Sequence, residues 1–279
     1  FNQNVLVIAE QSTVVVVVDD GSTVPVVVPT DVNAIVIRTT NLGLGAALNR
    51  GVQFAKDSYP DSDLYVATFD QDSRPSTDYL ARSVEAIESA KTGGAGAGAS
   101  CAESLGGRPT KSVGSHGPHM YALEIAQSGM VFPRDTVEQV GLFDEGLFID
   151  AIDTDYVLRM NELGLNVVIA EGAIMDHEVG DVRTPRIFGR PIQIGSRTVR
   201  YSYHSSTRRF YITRNRIIIL RRYWRTGWRW MTQDNLREAR TLALCIVFGP
   251  RRASQLRAFF RGAIAGIRWR DAPPDRTSV

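Results

Sequence analysis

Two short apolar runs that each end in paired carboxylates constrain the fold of this chain more than any other feature. The five valines at 14–18 are followed by Asp-Asp at 19–20, and the apolar run 63–69 is followed by an Asp-x-Asp sequence at 70–72. A β-branched run that leads directly into a polar loop is typical of a buried parallel strand. Both runs therefore predict strands that carry acidic side chains to the edge of a sheet.

Helical and strand patterns alternate around these two runs. Residues 34–38 predict a strand, and 46–56 and 77–90 predict helices with one apolar face. Such alternation predicts an α/β fold with a mostly parallel sheet flanked by helices, in which ligands bind outside the carboxyl ends of the strands. Both acidic clusters are expected at that edge.

The middle of the chain contains one glycine-rich segment and one acidic segment. No strand leads directly into GGAGAGASCAESLGG at 93–107 and no clear helix follows it, so we interpret it as a mobile loop rather than a dinucleotide-binding loop. His116 and His119 are also assigned to a loop. Further on, 130–132 predicts a strand, 134–140 a short helix, and a helix ending at Gly164 is expected to turn Tyr156, Met160 and Leu163 inward.

Charge divides the chain into an acidic and a basic part. Residues 1–180 contain 10 Lys and Arg against 25 Asp and Glu, whereas 181–279 contain 22 Arg against 5 acids. We therefore predict a catalytic domain over 1–200 and a basic, amphipathic helical region over 201–279. The two cysteines are far apart, which favours a reducing compartment. We find no charged and apolar leader and no apolar run long enough to cross a membrane, so neither secretion nor transmembrane insertion is expected.

The acidic clusters suit a divalent cation bridged to a diphosphate, because Mg²⁺ and Mn²⁺ prefer oxygen ligands and share them with substrate phosphates. A single Asp-x-Asp sequence is equally typical of solvated turn residues. The clusters at 19–20 and 150–155 strengthen the metal hypothesis.

An ordered series of motifs resembles one enzyme family. VVVVVDDGS, NLGLGAALNRG, FDQDSRP, SGMVFPR, GLFDEGLFIDAIDTDYVLRMNELG and DHEVGD are similar to the family 2 glycosyltransferases, which are inverting enzymes with a nucleotide-sugar-binding, GT-A-like fold. FDQDS, FIDAID and HSSTRRFYITRN resemble the rhamnosyltransferase branch, which uses dTDP-rhamnose. The resemblance covers roughly residues 5–220.

The resemblance implies roles for individual residues. Asp153 is the expected general base, with Asp150 able to share that role, and Asp72 and His177 are the expected ligands of Mn²⁺ or Mg²⁺. For His177, a packed or capping role is an equal alternative. The residues expected to bind the nucleotide-sugar donor are Asp19, Asp20, Asn41, Asn49, Asp70 and Gln71.

Two positions depart from the family pattern. Ile152 stands where the family usually has the first acid of its catalytic pair, so only Asp153 remains. The family also has a strand and a Thr-Tyr-Asn-like turn that we do not find before Val14, so either the sequence starts late or this part of the site is missing.

Acceptor binding is expected from two parts of the chain. Ser128 and Gly129 are expected to line the acceptor pocket, with a purely structural turn as the alternative. Guanidinium groups bind phosphate in a bidentate manner, so the tail is expected to contact the pyrophosphate of a lipid-linked acceptor rather than form only a solvated basic face. The tail residues concerned are Arg208, Arg209, Tyr211 and Arg214.

The sequence thus predicts a metal-dependent inverting rhamnosyltransferase. Its expected partners are a nucleotide sugar, a polyprenyl-diphosphate-linked glycan and the anionic inner face of the cell membrane, on the cytoplasmic side. Binding of the tail to single-stranded nucleic acid is the less favoured alternative. A transferase of another sugar and a non-catalytic nucleotide-sugar or glycan-binding module are the alternative functions.

Overall fold

A computed structural model describes residues 1–60, 63–123, 125–177 and 181–271, and the side chains of His177, Arg229, Trp230 and Gln233 lie outside the described part. The chain divides into two compact units, Phe1–Val179 and Gly180–Val279. The short strands between 182 and 202 belong to the second unit. The functional division at residue 200 stays a prediction.

The first unit alternates strands and helices over most of its length. Its helices are α1 Asn2–Ala9, α2 Leu44–Ser58, α3 Tyr79–Thr92, α4 Arg134–Val140 and α5 Ile152–Glu162, with a 3-10 turn at Glu145–Leu147. Its strands are β1 Val15–Asp20, β2 Ala34–Thr39, β3 Tyr65–Thr68, β4 Ser73–Pro75, β5 Ala97–Leu105, β6 Arg108–Pro109, β7 Ser112–His116, β8 His119–Ala122, β9 Met130–Pro133 and β10 Asn166–His177.

These strands form two sheets. β1 and β2 make a parallel pair, and the larger sheet has the order β3-β9-β5-β10-β8-β7, with β4 on β10 and β6 on β5. The α/β class is confirmed, but the larger sheet is mixed. Among its described residues only β5 and β10 pair in parallel. Residues 127–129 are hydrogen bonded to Thr68, the last residue of β3. β9 therefore starts beside the end of β3 and runs antiparallel to it.

The prediction of a mobile loop over 93–107 is wrong, because β5 occupies Ala97–Leu105 near the centre of the larger sheet. Its small residues reflect close packing. A Cβ added at Gly98 would lie 2.7 Å from Met160 Cε and 2.9 Å from Leu165 Cβ. Glycine is thus required at position 98 by neighbours that the local pattern does not reveal.

Two smaller expectations are also corrected. His116 and His119 lie opposite each other in the β7–β8 hairpin rather than in a loop. Leu163 is 53% exposed, whereas Tyr156 and Met160 are buried as predicted. Leu163 follows the last residue of α5, so the helical spacing no longer decides where its side chain points.

The second unit consists of short paired strands followed by three long helices in its described part. The strand pairs are β11 Val182–Arg183 with β16 Tyr201–Ser202, β12 Arg186–Ile187 with β13 Arg190–Pro191, and β14 Gln193–Ile194 with β15 Arg197–Thr198. The helices are α6 Ser206–Tyr223, α7 Trp228–Phe248 and α8 Arg252–Arg268. In the described residues, none of the helices has both the length and the hydropathy that a membrane span requires.

Glycines and one buried ion pair hold the helices of the second unit together. Side chains at Gly262 and Gly266 would press on backbone oxygens of α6, so α6 and α8 pack closely. Arg209 of α6 is 1% exposed and forms an ion pair with Glu238 of α7. The Nε of Arg209 also donates a hydrogen bond to Gln255 of α8 at 3.3 Å. Loss of Glu238 would leave the buried charge of Arg209 without this partner, which is unfavourable. Through Arg209, α6 is therefore held to both α7 and α8.

The packing of β5 predicts the effect of a side chain at Gly98. Gly98→Val should lower the free energy of unfolding by about 1–3 kcal/mol, because the added methyl groups overlap Met160 and Leu165. Gly114→Val in β7 is the matched control, since a Cβ there has no neighbour within 4 Å. Urea unfolding measures both, and equal stability of the two variants would contradict the proposed packing.

Candidate functional site

The carboxylate of Asp20 organises the first loop of the site. Its Oδ1 accepts hydrogen bonds from Thr39 Oγ1 at 2.8 Å and from the backbone N–H of Leu42 at 2.7 Å. Its Oδ2 accepts a further bond from the N–H of Gly43 at 2.8 Å. The end of β1 thereby fixes the loop that connects β2 to α2.

Asp19 has a corresponding role on the other side of β1. Its carboxylate is buried and accepts hydrogen bonds from the N–H groups of Ser22 at 2.8 Å and Val26 at 3.3 Å. The hydrogen bonds from Ser22, and to a smaller extent the charge of Arg38, lower the pKa of Asp19. Asp19 is therefore an ionised residue that shapes the loop after β1, and its predicted contact with the nucleotide stays a prediction.

The two predicted donor-binding asparagines occupy different environments. Asn41 is exposed, and its backbone nitrogen lies only 2.6 Å from the position of a Cβ at Gly21. Asn49 is buried, and its amide group bonds the backbone N–H and C=O of Phe143 and the side chain of Glu145, each at 2.9 Å. Asn49 thus ties α2 to the segment that precedes α5.

The turn after β3 is joined to the residues that precede β9. The backbone N–H of Asp70 donates to Ser128 Oγ at 3.0 Å, and Ser128 Oγ donates to Ser73 Oγ at 2.6 Å. The side-chain amide of Gln127 donates to the carboxylate of Asp70. Gln71 is exposed, and its carbonyl accepts a hydrogen bond from Asn4 at 3.0 Å. Asp70 is therefore held at a defined position beside 127–129.

Gly129 forms a tight turn against the core. Its φ is +86°, a conformation that residues with a side chain rarely adopt. A Cβ at Gly129 would lie 2.5 Å from the hydroxyl of Tyr79, which donates a 2.6 Å hydrogen bond to the Gly129 carbonyl. Ser128 and Gly129 thus have a structural role, and their predicted acceptor contact stays a prediction.

Strained backbone surrounds the second acidic cluster. Phe148, Asp150 and Ala151 all have φ between +63° and +66°, which is unfavourable for residues other than glycine. The carbonyl of Phe148 accepts a 2.7 Å hydrogen bond from the N–H of Leu44. Such strain persists only where surrounding contacts fix the backbone, and it often accompanies functional sites.

Asp153 lies in the first turn of α5, immediately after this strained segment. Its removal from water raises the pKa of Asp153 to about 6, and the charge of Asp150 adds to that effect. The N–H groups of Thr154 and Gln127 act in the opposite direction. A carboxyl group with a pKa near neutrality is suited to accept a proton during catalysis.

Gln127 connects the two acidic clusters, although the motifs of the sequence do not mark it as a site residue. Its side chain bonds Asp70, and its backbone N–H lies near Asp153. Gln127 itself is 4% exposed. In the sequence, only its position beside the Ser128-Gly129 turn pointed to Gln127. The pairing of β3 with β9 is needed to see that Gln127 lies beside Asp70.

Ile152 is 1% exposed and belongs to the core, so an ionised acid at this position would be buried. The departure from the family pattern is therefore matched by the local packing. Asp153, one residue later, is partly exposed, and its role as general base stays a prediction.

The predicted metal ligands lie at the edge of β4. Asp72 is exposed and directly precedes Ser73, whose backbone pairs with that of His177 in β10. The His177 side chain lies outside the described residues. Within the described part of the chain no three His, Cys, Asp or Glu residues come together. An exposed carboxylate is nevertheless a suitable oxygen ligand for a cation that takes its other ligands from phosphates and water.

The predicted acceptor residues of α6 differ in accessibility. Arg208 is exposed, whereas Arg209 is buried in its ion pair with Glu238. The guanidinium of Arg214 lies 4.8 Å from the ring of Tyr211 and donates to Asn215 at 2.8 Å. These contacts give Arg209 and Arg214 a packing role within the helical unit, and phosphate binding by α6 stays a prediction.

A cavity of about 310 Å³ lies away from these acids. Its lining includes Gly96, Ala97 and Pro133, at the start of β5 and the end of β9. Pro133 pairs with Tyr65, at the opposite end of β3 from Thr68 and Asp70. This cavity is therefore separate from the candidate site.

Comparison with known proteins covers part of the chain. Residues 4–121 match the family model described as Glycosyl transferase family 2. Over 95 residues, 34% of this chain, the sequence is 37% identical to the dTDP-rhamnosyl transferase RfbF of Shigella flexneri. That match spans 29% of the relative's length. The search of solved structures found no match.

These matches confirm the resemblance that the motifs indicated. The family match contains the Asp20 loop and the Asp70–Ser73 turn, while Gln127 and Asp153 lie beyond it. Residues 4–121 are therefore similar to glycosyl transferase family 2, and a 95-residue stretch of the chain is similar to a dTDP-rhamnosyl transferase.

Proposed function

We propose that this chain is an inverting glycosyltransferase that transfers rhamnose from dTDP-rhamnose to a lipid-linked glycan. The observation that carries the proposal is the link through Gln127 between Asp70, in the family-matched segment, and Asp153. The similarity to a dTDP-rhamnosyl transferase supports the choice of donor. It does not extend over the whole relative, so donor and acceptor belong to the proposal.

Asp153 acts as the general base in this proposal. A sugar hydroxyl is a weak nucleophile, so its proton must be accepted as the oxygen attacks the anomeric carbon. Partial burial raises the pKa of Asp153 to about 6 and makes it a better proton acceptor than an ordinary aspartate, while it stays ionised at neutral pH. A single displacement by the hydroxyl, with departure of the nucleoside diphosphate, inverts the anomeric centre.

Asp20, Asp70 and their loops bind and orient the donor. The backbone of 39–43 is fixed by Asp20, and Asp70 is fixed by Gln127 and Ser128. Asp72 would hold a Mg²⁺ or Mn²⁺ ion, with His177 as a second ligand. When bound, the ion would offset the negative charge of the departing diphosphate.

The proposed acceptor and location are supported by the basic composition of the second unit. Residues 181–279 contain 22 Arg and 5 acids, which suits a polyprenyl-diphosphate-linked glycan at an anionic membrane surface. The enzyme would then work as a peripheral protein on the cytoplasmic face of the cell membrane.

Replacement of Asp153 tests the proposed base. Asp153→Asn should lower turnover of dTDP-rhamnose by about 10²–10⁴-fold, because the amide cannot accept the proton. Glu162→Gln, at the exposed end of the same helix, is the matched control and should keep its rate. Release of dTDP in the presence of acceptor measures both. Equal, negligible release by wild type and Asp153→Asn would favour a non-catalytic binding module instead.

The raised pKa of Asp153 predicts the pH dependence of the reaction. The base works only when ionised, so kcat/KM should rise with pH through about 6 and level off above it. Initial rates at low substrate, from about pH 4.5 to about pH 8, give this profile. A rate that is constant across the range would exclude Asp153 as the titrating base.

Thermal unfolding with and without ligands tests the donor and metal. A ligand at 100 times its Kd stabilises the folded state by about 2.7 kcal/mol, so dTDP with Mn²⁺ should raise the melting temperature, and dTDP with chelator should not. Asp72→Asn should abolish the metal-dependent rise in melting temperature. Asp63 is an exposed acid before β3, and Asp63→Asn should keep that rise. Stabilisation by UDP alone, unaffected by chelator, would contradict both assignments.

A further inference from the structure

Helix α8 carries an exposed apolar stripe on one face. Phe260 is 60% exposed, Ile264 is 51% exposed and Ile267 is 65% exposed. Steps of four and then three residues place these side chains above one another on a helix. Large apolar side chains that share one exposed face commonly mark an interaction surface.

The opposite face of α8 provides its packing within the second unit. Gln255, Ala258, Gly262 and Gly266 are buried. Added Cβ atoms at Gly262 and Gly266 would lie 2.5 Å from the Phe210 carbonyl and 2.7 Å from the Arg214 carbonyl. The helix therefore docks on α6 through small residues and leaves its large apolar residues outside. Core packing does not account for the stripe.

The charge of α8 identifies the partner that this face fits. The helix contains four arginines and no acidic residue, and the exposed side chains of Arg257, Arg261 and Arg268 belong to this set. Arginine heads remain near lipid phosphates while apolar side chains enter the boundary between headgroups and acyl chains. Apolar stripe and positive charge together match an anionic lipid bilayer.

We propose that α8 lies on the surface of an anionic membrane, with Phe260, Ile264 and Ile267 inserted into its interfacial layer. This inference deepens the proposed function, on which its biological meaning rests, because a lipid-linked acceptor is presented at such a surface. Pairing with the same face of a second copy would bring arginines against arginines. Two of the three exposed apolar residues are isoleucines, which offer no planar surface for stacking on nucleic-acid bases.

Sedimentation of the full chain with lipid vesicles tests the proposal. Wild type should bind vesicles that contain phosphatidylglycerol more tightly than neutral phosphatidylcholine vesicles. The triple variant Phe260→Ser, Ile264→Ser, Ile267→Ser should bind the anionic vesicles roughly tenfold or more weakly, because it loses its buried apolar contacts. Val113→Ser is the matched control, since Val113 is 61% exposed in β7 of the other unit.

A charge variant and a ligand measurement complete the experiment. Arg257→Glu with Arg261→Glu should weaken binding to anionic vesicles at low salt, and dTDP with Mn²⁺ should stabilise every variant to the same extent. Unchanged vesicle binding by both variants would overturn the role of α8. That role is also overturned if the triple variant only dissociates a dimer or only loses affinity for single-stranded DNA. Normal vesicle binding without turnover would instead contradict the proposed enzyme activity.

Discussion

The three hydrogen bonds accepted by Asp20 are the interaction on which the rest of the site depends. They hold residues 39–43 at the end of β1, and this loop in turn leads to Leu44, whose N–H donates to Phe148. Asn49, one turn further along α2, binds the segment at Phe143. The loop at the end of β1 and the acidic segment before α5 are therefore both anchored to α2.

The left-handed residues before α5 show how this arrangement is maintained. Phe148, Asp150 and Ala151 each adopt an unfavourable backbone conformation, and such residues cost of order 1–3 kcal/mol each. Contacts with α2 and the burial of Ile152 hold them in place. The strained segment ends just before Asp153, which gives the proposed base a fixed position at the start of a helix.

Local patterns were sufficient to predict most of the strands and helices that carry the site. The valine run became β1, and the acids at 19–20, 70–72 and 150–155 lie at strand ends, loops or helix starts as expected. Gln127 was missed because its importance arises from β3–β9 pairing, which brings together residues that are far apart in the sequence. β5 was missed because its one glycine, Gly98, is required by Met160 and Leu165, which are distant in the sequence.

The basic, amphipathic sequence of the C-terminal region predicted contact with a membrane surface, but not which side chains of α8 face outward. The close approach of Gly262 and Gly266 to the α6 backbone shows that the small residues of α8 face inward.

The close approach of Gly43 to Phe148 joins the loop before α2 to the segment before α5. A Cβ at Gly43 would lie 2.5 Å from the Phe148 ring, so a side chain at position 43 would displace the segment before α5. In the proposed enzyme, a donor nucleotide that stabilised residues 41–45 would also favour the observed position of the segment that leads to Asp153, because the two are in contact. Without a bound donor, residues 41–45 and Asp153 would then both be less well positioned.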